Sequence, residues 1–181
     1  MSRPTELINS VFADKYSVFA DKPGTEEFTR YLSRFNDESD RGAVMIAASM
    51  MDDLLRRKII ADLEPVRQAK LLFDGLSAPL GSLSAKMLMA YTLGLIDERM
   101  FKELRTIQKI RNRFAHDIHV DFKDDSIKDL CGNLTFMNDP EKKLPARNRF
   151  DLSSVTTILL LSTKPAEPGA GLKIPTNEGK V

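Results

Sequence analysis

Residues 97–117 read DERMFKELRTIQKIRNRFAHD and predict one long amphipathic helix that ends in a polar cluster. Asp97 can cap the N-terminus of this helix, and Glu98 places negative charge in its first turn. The apolar side chains recur every three or four residues, or at multiples of that spacing, and so form one stripe: Phe101, Leu104, Ile107 and Phe114. The stretch therefore predicts a helix that packs along one face.

The last turn of this helix carries several polar side chains, namely Arg111, Asn112, Arg113 and His116. Asn112 and His116 are four residues apart and share a face. Arg111 follows Leu104 by seven residues, which puts its guanidinium almost on the apolar stripe, where an unpaired charge is very costly. Arg111 and His116 are roughly 140° apart at about 100° per residue. They can meet on one ligand only if the helix kinks or if two copies of the protein come together.

A second long helix is predicted from Arg41 to about Ala61, with Asp40 as its cap. Its residues 43–51, AVMIAASMM, are apolar nearly all round the helix. Such a helix is buried on most sides, so this segment is predicted to lie at the centre of the fold.

Two adjacent acids, Asp52 and Asp53, fall inside this central helix. One is expected on the solvent side, and the other is a candidate partner for Arg111 or Arg41, because aspartate is rarely buried unless it is paired. The alternative is a solvated turn ahead of the basic residues 56–58. The expected structural polar cluster consists of Asp40, Arg41, Asp52 and Asp53.

Further helices follow from apolar spacing and capping residues, over residues 25–35, 63–73, 82–93, 126–134 and 147–163. In the third of these, Ser82 or Ser84 is the cap, Gly94 is the stop, and the residues expected to face inward are Leu83, Met87, Leu88, Tyr91 and Leu95. The last could be a strand, but no partner strand is nearby, so a helix is favoured.

The chain divides into an N-terminal arm at 1–24, a helical domain at 25–163 and a disordered tail at 164–181. The arm repeats the sequence VFADK at residues 11–15 and 18–22, and we interpret it as a docking arm. The predicted fold class is all-α, a single-domain bundle of about seven helices.

The composition is that of an ordinary soluble protein, with 42% hydrophobic and 29% charged residues. A net charge of +1 gives no global attraction to nucleic acid. The single cysteine, Cys131, excludes an internal disulfide and indicates a reducing cytoplasm. No signal peptide and no membrane span are expected. Zinc ligation by His116, His119 and Cys131 fits no standard spacing, so neither a metal nor a cofactor is predicted.

Basic side chains could form a nucleic-acid face, but acids are interspersed among them and a solvated surface is the favoured account: Arg105, Lys109, Arg113, Arg147 and Arg149. No helix–turn–helix is placed, because the helix that would read DNA begins with the acids Asp97 and Glu98. Direct operator recognition is therefore not predicted.

The sequence RNRFAH at 111–116 resembles the Arg-x4–6-His signature of the HEPN superfamily, small all-α domains that include metal-independent ribonucleases. This resemblance implies a composite site between two subunits. There His116 would take the proton from a ribose 2′-OH, Arg111 would stabilise the phosphate charge, and Asn112 would fix the imidazole tautomer or hold the phosphate. The alternative is a structural role, with Arg111 bound to an acid of the central helix and His116 capping the helix C-terminus.

A wider stretch resembles the mannitol operon repressor family, through PLGSLSAK at 79–86, Tyr91, Leu93-Gly94 and Ile96, and through Asp40-Arg41-Gly42-Ala43. The resemblance covers roughly residues 37–136. It implies an all-α, cytoplasmic transcriptional regulator that acts through a protein partner, either part of the transcription machinery or another regulator. A homodimer and RNA binding are further expectations. The alternative function is the HEPN-like endoribonuclease that uses Arg111 and His116.

Overall fold

The computed structural model describes Phe35 and residues 38–63, 67–75, 77–136 and 144–162. This part of the chain contains α-helices and no strands, so the predicted all-α class is confirmed. The five α-helices are α1 Asp40–Asp62, α2 Leu83–Thr92, α3 Glu98–His116, α4 Asp125–Gly132 and α5 Ala146–Ser162.

Several predicted segments lie outside the described residues, and one predicted α-helix has a different form in the structure. The predicted arm at 1–24, most of the predicted helix at 25–35 and the tail at 164–181 lie outside the described residues. The predicted helix at 63–73 is a shorter 3-10 helix, Arg67–Leu72. No helix within the described ranges is long and apolar enough to cross a membrane.

Helix α1 is central and packs against α2, α3 and α5. Its N-cap is Ser39, whose hydroxyl accepts a hydrogen bond from the N–H of Gly42 at 3.1 Å. The prediction placed this cap one residue later, at Asp40, but the Asp40 carboxylate binds Arg147 of α5 instead. The buried apolar side chains include several small ones that allow close approach of the neighbouring helices, which confirms the prediction of a central helix: Ala43, Val44, Ala47, Ala48, Met51, Leu55 and Ile59.

Helix α3 is amphipathic as predicted, and the Asp97 carboxylate caps it by accepting a hydrogen bond from the N–H of Met100 at 2.7 Å. Phe101 is only partly buried and stacks on Tyr91 of α2, with 4.9 Å between the ring centroids. The rest of the predicted stripe is buried, together with residues that the stripe did not include, so that the core-facing side comprises Met100, Glu103, Leu104, Ile107, Ile110 and Phe114.

One carboxylate lies within this core-facing side of α3. Glu103 is 1% exposed, and it accepts hydrogen bonds of 2.6 to 3.2 Å from the N–H groups of Thr135 and Phe136 and from the hydroxyls of Thr135 and Ser153. A buried carboxylate needs such partners. The bonds connect α3 to α5 and to the segment that follows α4.

Helix α2 is capped by Ser82, whose hydroxyl accepts a hydrogen bond from the N–H of Ala85 at 3.2 Å. It ends just before Gly94, whose φ of +71° is the left-handed conformation that terminates helices, as predicted. Leu88 and Tyr91, which were predicted to face inward, are 58% and 40% exposed.

Met87 is buried as predicted, and the other buried positions of α2 belong to Lys86 and Ala90. Lys86 can face the core because its ammonium group binds both carboxylate oxygens of Asp52 on α1, each at 2.8 Å. From sequence alone a lysine is expected on the surface. The prediction therefore did not include Lys86 among the inward-facing residues of α2.

Helix α5 is buried on nearly all sides, which agrees with the predicted helix rather than a strand. It packs against α1, α3 and α4. Polar residues share its interior with apolar ones: Phe150, Asp151, Leu152, Ser153, Ser154, Val155, Thr157, Ile158 and Leu161.

Candidate functional site

A surface cleft of about 710 Å³ lies between the C-terminal half of α3 and helix α4. The side that α3 supplies consists of Lys109, Asn112, Arg113 and His116, followed by Asp117. These helical residues are three or four positions apart, so their side chains leave the same face of α3. Helix α4 supplies Ser126, Asp129 and Leu130. The cleft thus combines two cations and an imidazole with two carboxylates, a polar mixture that suits a charged ligand or partner.

Two of the three residues of the predicted ribonuclease site line this cleft, and the third does not. Asn112 and His116 are exposed and face the cleft, whereas Arg111 is partly buried and is not among the residues that line it. The Arg111 guanidinium donates a hydrogen bond to the Asn112 side-chain oxygen at 3.1 Å. Because α3 continues as one helix to His116, Arg111 and His116 stay on different sides of it.

The end of α3 is held by Arg41 of the central helix. The Arg41 guanidinium donates a hydrogen bond to the carbonyl oxygen of Asp117 at 2.8 Å and lies 5.9 Å from the centroid of the Phe114 ring. The Asp117 carboxylate accepts a hydrogen bond from the N–H of His119 at 2.9 Å, which shapes the turn after the helix. The cationic cap predicted for His116 is therefore supplied by Arg41.

The two acids of the central helix have partners other than Arg111. Asp52 binds Lys86, whose side chain is only 5% exposed. Asp53 pairs with Arg57 four residues later, at 2.7 Å on the surface. The four residues expected to form one polar cluster are therefore distributed among separate contacts. Distant parts of the chain supply the partners of Asp40, Arg41 and Asp52, whereas Asp53 pairs locally with Arg57.

A cluster of three charged residues, Asp40, Arg147 and Asp151, lies between α1 and α5. Arg147 donates from Nε to both carboxylate oxygens of Asp151, at 2.8 and 2.9 Å, and from Nη1 to Asp40. Its guanidinium carbon is 5.7 and 5.6 Å from the ring centroids of Phe35 and Phe122. Burial raises the pKa of Asp151 to about 7, against the opposing effect of the Arg147 charge.

From the sequence, Arg147 is expected on a solvated surface, with a nucleic-acid face as the other interpretation. Neither fits, because its guanidinium is enclosed by carboxylates and aromatic rings. The spacing of Arg147 and Asp151, four residues apart on one helix, was a signal for this pair. Nothing in the sequence brings Asp40 to the same place.

The three residues considered as zinc ligands differ in their exposure to solvent. Cys131 is buried in the core, and burial raises the pKa of its thiol to about 12, whereas metal binding requires a thiolate. His116 and His119 are exposed. Among the described residues, no group of three or more His, Cys, Asp or Glu side chains could hold a metal ion.

Comparison with known proteins gives two matches. A family model described as mannitol repressor matches residues 42–158, from the first turn of α1 into α5. The X-ray structure of the MtlR-HPr complex from Escherichia coli contains a chain that aligns at a TM-score of 0.62 and 20% identity, covering 75% of this chain and 98% of that chain. At this identity the likeness shows a shared fold. A search of curated protein sequences finds no match.

Proposed function

This chain belongs to the mannitol repressor family, and on that premise we propose that it regulates transcription through a protein partner rather than by reading operator DNA itself. The observation that carries the proposal is the family match over residues 42–158, which spans nearly all of the described helices. The single cysteine, with its buried thiol, suits a reducing cytoplasm, where we place the protein.

The charges at the N-terminal end of α3 argue against direct recognition of operator DNA. A recognition helix contacts bases with its N-terminal residues, and α3 begins with Asp97 and Glu98. Lys102, one turn further along α3, is paired with Glu98 at 2.6 Å, and Arg99 of the first turn donates a hydrogen bond to the carbonyl oxygen of Thr135 at 3.1 Å. An acidic helix start is repelled by the phosphate backbone.

The first partner to test is a protein of the HPr type. A structure of this fold is described as a complex with HPr, and the fold similarity is the basis for carrying that partner to this chain as a proposal. In this proposal the chain and its partner act on a component of the transcription machinery. A homodimer is a further assembly that the same measurements would detect.

We place the partner at the cleft between α3 and α4. Its polar walls end next to Ile118, which is 81% exposed in the turn that follows α3. Protein interfaces usually combine an apolar centre with a polar rim, and Ile118 with the polar groups of the cleft could supply these two parts. The Arg41 contact with Asp117 holds this turn against the central helix.

The proposal is tested by titrating the purified chain with the HPr-type protein of the same organism in a calorimeter. Saturable binding is expected, and Ile118→Ser and His116→Ala are each expected to weaken it about tenfold. The matched control is Leu71→Ser, which also removes an exposed apolar side chain (68% exposed) from a different element. Equal effects of Ile118→Ser and Leu71→Ser would contradict the location at the cleft.

The function itself is tested with promoter DNA. Specific DNA-binding proteins prefer their sites over other DNA by about 10³-fold or more, and a preference of that size by the isolated chain would overturn the proposal. The ribonuclease alternative requires EDTA-resistant cleavage of RNA that His116→Ala abolishes. We expect the wild-type chain to leave the RNA intact, because one chain does not bring Arg111 and His116 to the same cleft and a second copy would have to complete the site.

A further inference from the structure

The solvent side of α3 carries an unbroken row of basic residues, Lys102, Arg105, Lys109, Arg113 and His116, all of them exposed. We call these five residues the basic row. Their spacings of three or four positions keep them within about 80° of one another around the helix. The row extends over residues 102–116, and its fourteen steps of about 1.5 Å each give a length of about 21 Å.

Most of the charge in the basic row is unneutralised. Lys102 pairs with Glu98 at the first turn, at 2.6 Å. Within the described part of the chain, Arg105, Lys109 and Arg113 have no carboxylate within salt-bridge distance. The whole chain has a net charge of only +1, so this concentration of positive charge on one helix face is local.

An aromatic pair adjoins the N-terminal part of the row. Tyr91 of α2 is 40% exposed and stacks on Phe101 at an interplanar angle of 21°. The Arg105 guanidinium lies 5.9 Å from the Phe101 ring centroid. Leu88, one turn before Tyr91 on the same helix, is 58% exposed. The α2–α3 face thus presents an aromatic ring, an apolar side chain and a line of cations together.

We propose that this face binds single-stranded nucleic acid without sequence preference, with phosphates along the basic row and a base stacked at Tyr91. Proteins that bind single strands combine a positively charged track with aromatic side chains on which bases stack. A duplex keeps its bases paired and would use the cations alone. An acidic protein would likewise use the cations without needing a stacking surface.

The carboxylates near the row define which part of it holds the strand. Asp117 and Asp129 line the same cleft as Lys109, Arg113 and His116 and reduce the attraction for phosphate there. Lys109 and Arg113 are not ion-paired with these carboxylates among the described residues, so the strand is held mainly by Arg105, Lys109 and Arg113. This binding carries no sequence information and does not depend on regulation through a protein partner. Because Lys109 and Arg113 also line the cleft that we assign to that partner, the strand and the partner would compete there.

The test measures fluorescence anisotropy of a labelled oligouridylate titrated with the full chain at several salt concentrations. Replacing two cations of the row, Lys109→Gln with Arg113→Gln, should weaken binding at least tenfold. The slope of log affinity against log salt should become shallower by about 1.4, because each phosphate that a cation neutralises on a single strand contributes about 0.7 to this slope. The matched control removes two exposed cations outside the row, Lys123→Gln with Lys128→Gln, and should change affinity less than twofold.

A second variant tests the stacking surface. Tyr91→Ala should weaken oligouridylate binding about tenfold and leave the salt slope unchanged, since it removes stacking without removing charge. Three results would each overturn the proposal: no binding at low salt, equal losses from the two charge pairs, or Tyr91-independent binding of duplex DNA or polyglutamate as tight as that of oligouridylate. Circular dichroism of each variant verifies that the helical bundle is retained.

Discussion

The tetrapeptide Arg-Asn-Arg-Phe occurs twice in the chain, at residues 111–114 near the end of α3 and at residues 147–150 at the start of α5. The phenylalanines of the two copies have the same environment. Phe114 and Phe150 are both fully buried, and both contact Phe122, with ring centroids 5.0 and 5.5 Å away. The hydrophobic part of the motif therefore packs in one place in the core, whichever helix carries it.

The leading arginines of the two copies differ in their partners. Arg147 binds Asp151 four residues later, together with Asp40 of α1, and its side chain is 18% exposed. The position four residues after Arg111 is Ala115, and among the described residues Arg111 donates a hydrogen bond only to the side-chain oxygen of Asn112. The same tetrapeptide thus forms a buried ion cluster where other residues provide carboxylates for its first arginine, and it lies nearer the surface where they do not.

Replacing the leading arginine should separate the two copies most strongly. Arg147→Met leaves the buried Asp151 carboxylate without its charged partner, and we expect it to lower the free energy of unfolding by about 3 kcal/mol at pH 8. The same change at Arg111 should cost less than about 1 kcal/mol, because no buried charge is left without its partner. Urea denaturation of both variants measures the difference.

The double variant Arg147→Met with Asp151→Leu provides the control for this comparison. Removing both charges should restore most of the lost stability, since the cost comes from the unpaired carboxylate and not from the methionine. Equal losses at Arg147 and Arg111 would show that the acids around Arg147 do not distinguish the two copies.

The helices could be predicted largely from local sequence, because their signals are local. Asp97 as a cap and the spacing of apolar residues located α3 to within one residue at each end. The run of small and apolar residues at 43–51 identified α1 as central. In both cases the periodicity of one segment contains the information that its own conformation requires.

The candidate site could be predicted only in part, because its remaining residues are brought together by packing. The spacing of Asn112 and His116 placed them on one face, and both line the cleft. Ser126 and Asp129 come from a different helix, and no local pattern relates them to α3. The same limit explains why the sequence does not predict the hydrogen bond of Arg41 to Asp117, which joins residues 76 positions apart.

The pH dependence of the free energy of unfolding tests the ionisation state of Asp151, which pairs with Arg147 in the second copy of the tetrapeptide. The unfolded Asp151 carboxyl ionises near 3.8, whereas burial raises the pKa in the folded protein to about 7. Between these values the folded state holds one more proton than the unfolded state, so stability falls as pH rises. The expected loss between pH 5 and pH 7 is about 2 kcal/mol from this group.

Asp151→Asn removes the titrating group while keeping its size. Urea denaturation across the same pH range should give a flatter profile for this variant than for the wild type. A parallel pair of profiles would show that Asp151 is ionised in the folded protein throughout the range, so that the Arg147 charge outweighs burial.

The smallest effect is expected from giving the exposed copy the acid that it lacks. Ala115→Asp places a carboxylate four residues after Arg111, at an exposed position in the last turn of α3. Exposed pairs at this spacing contribute only about 0.3–0.5 kcal/mol, and negative charge near a helix C-terminus opposes the gain. The free energy of unfolding should therefore change by less than about 0.5 kcal/mol. A gain above about 1 kcal/mol would mean that the local acid alone creates the buried arrangement of Arg147, whereas we attribute that arrangement to Asp40 and the enclosing rings as well.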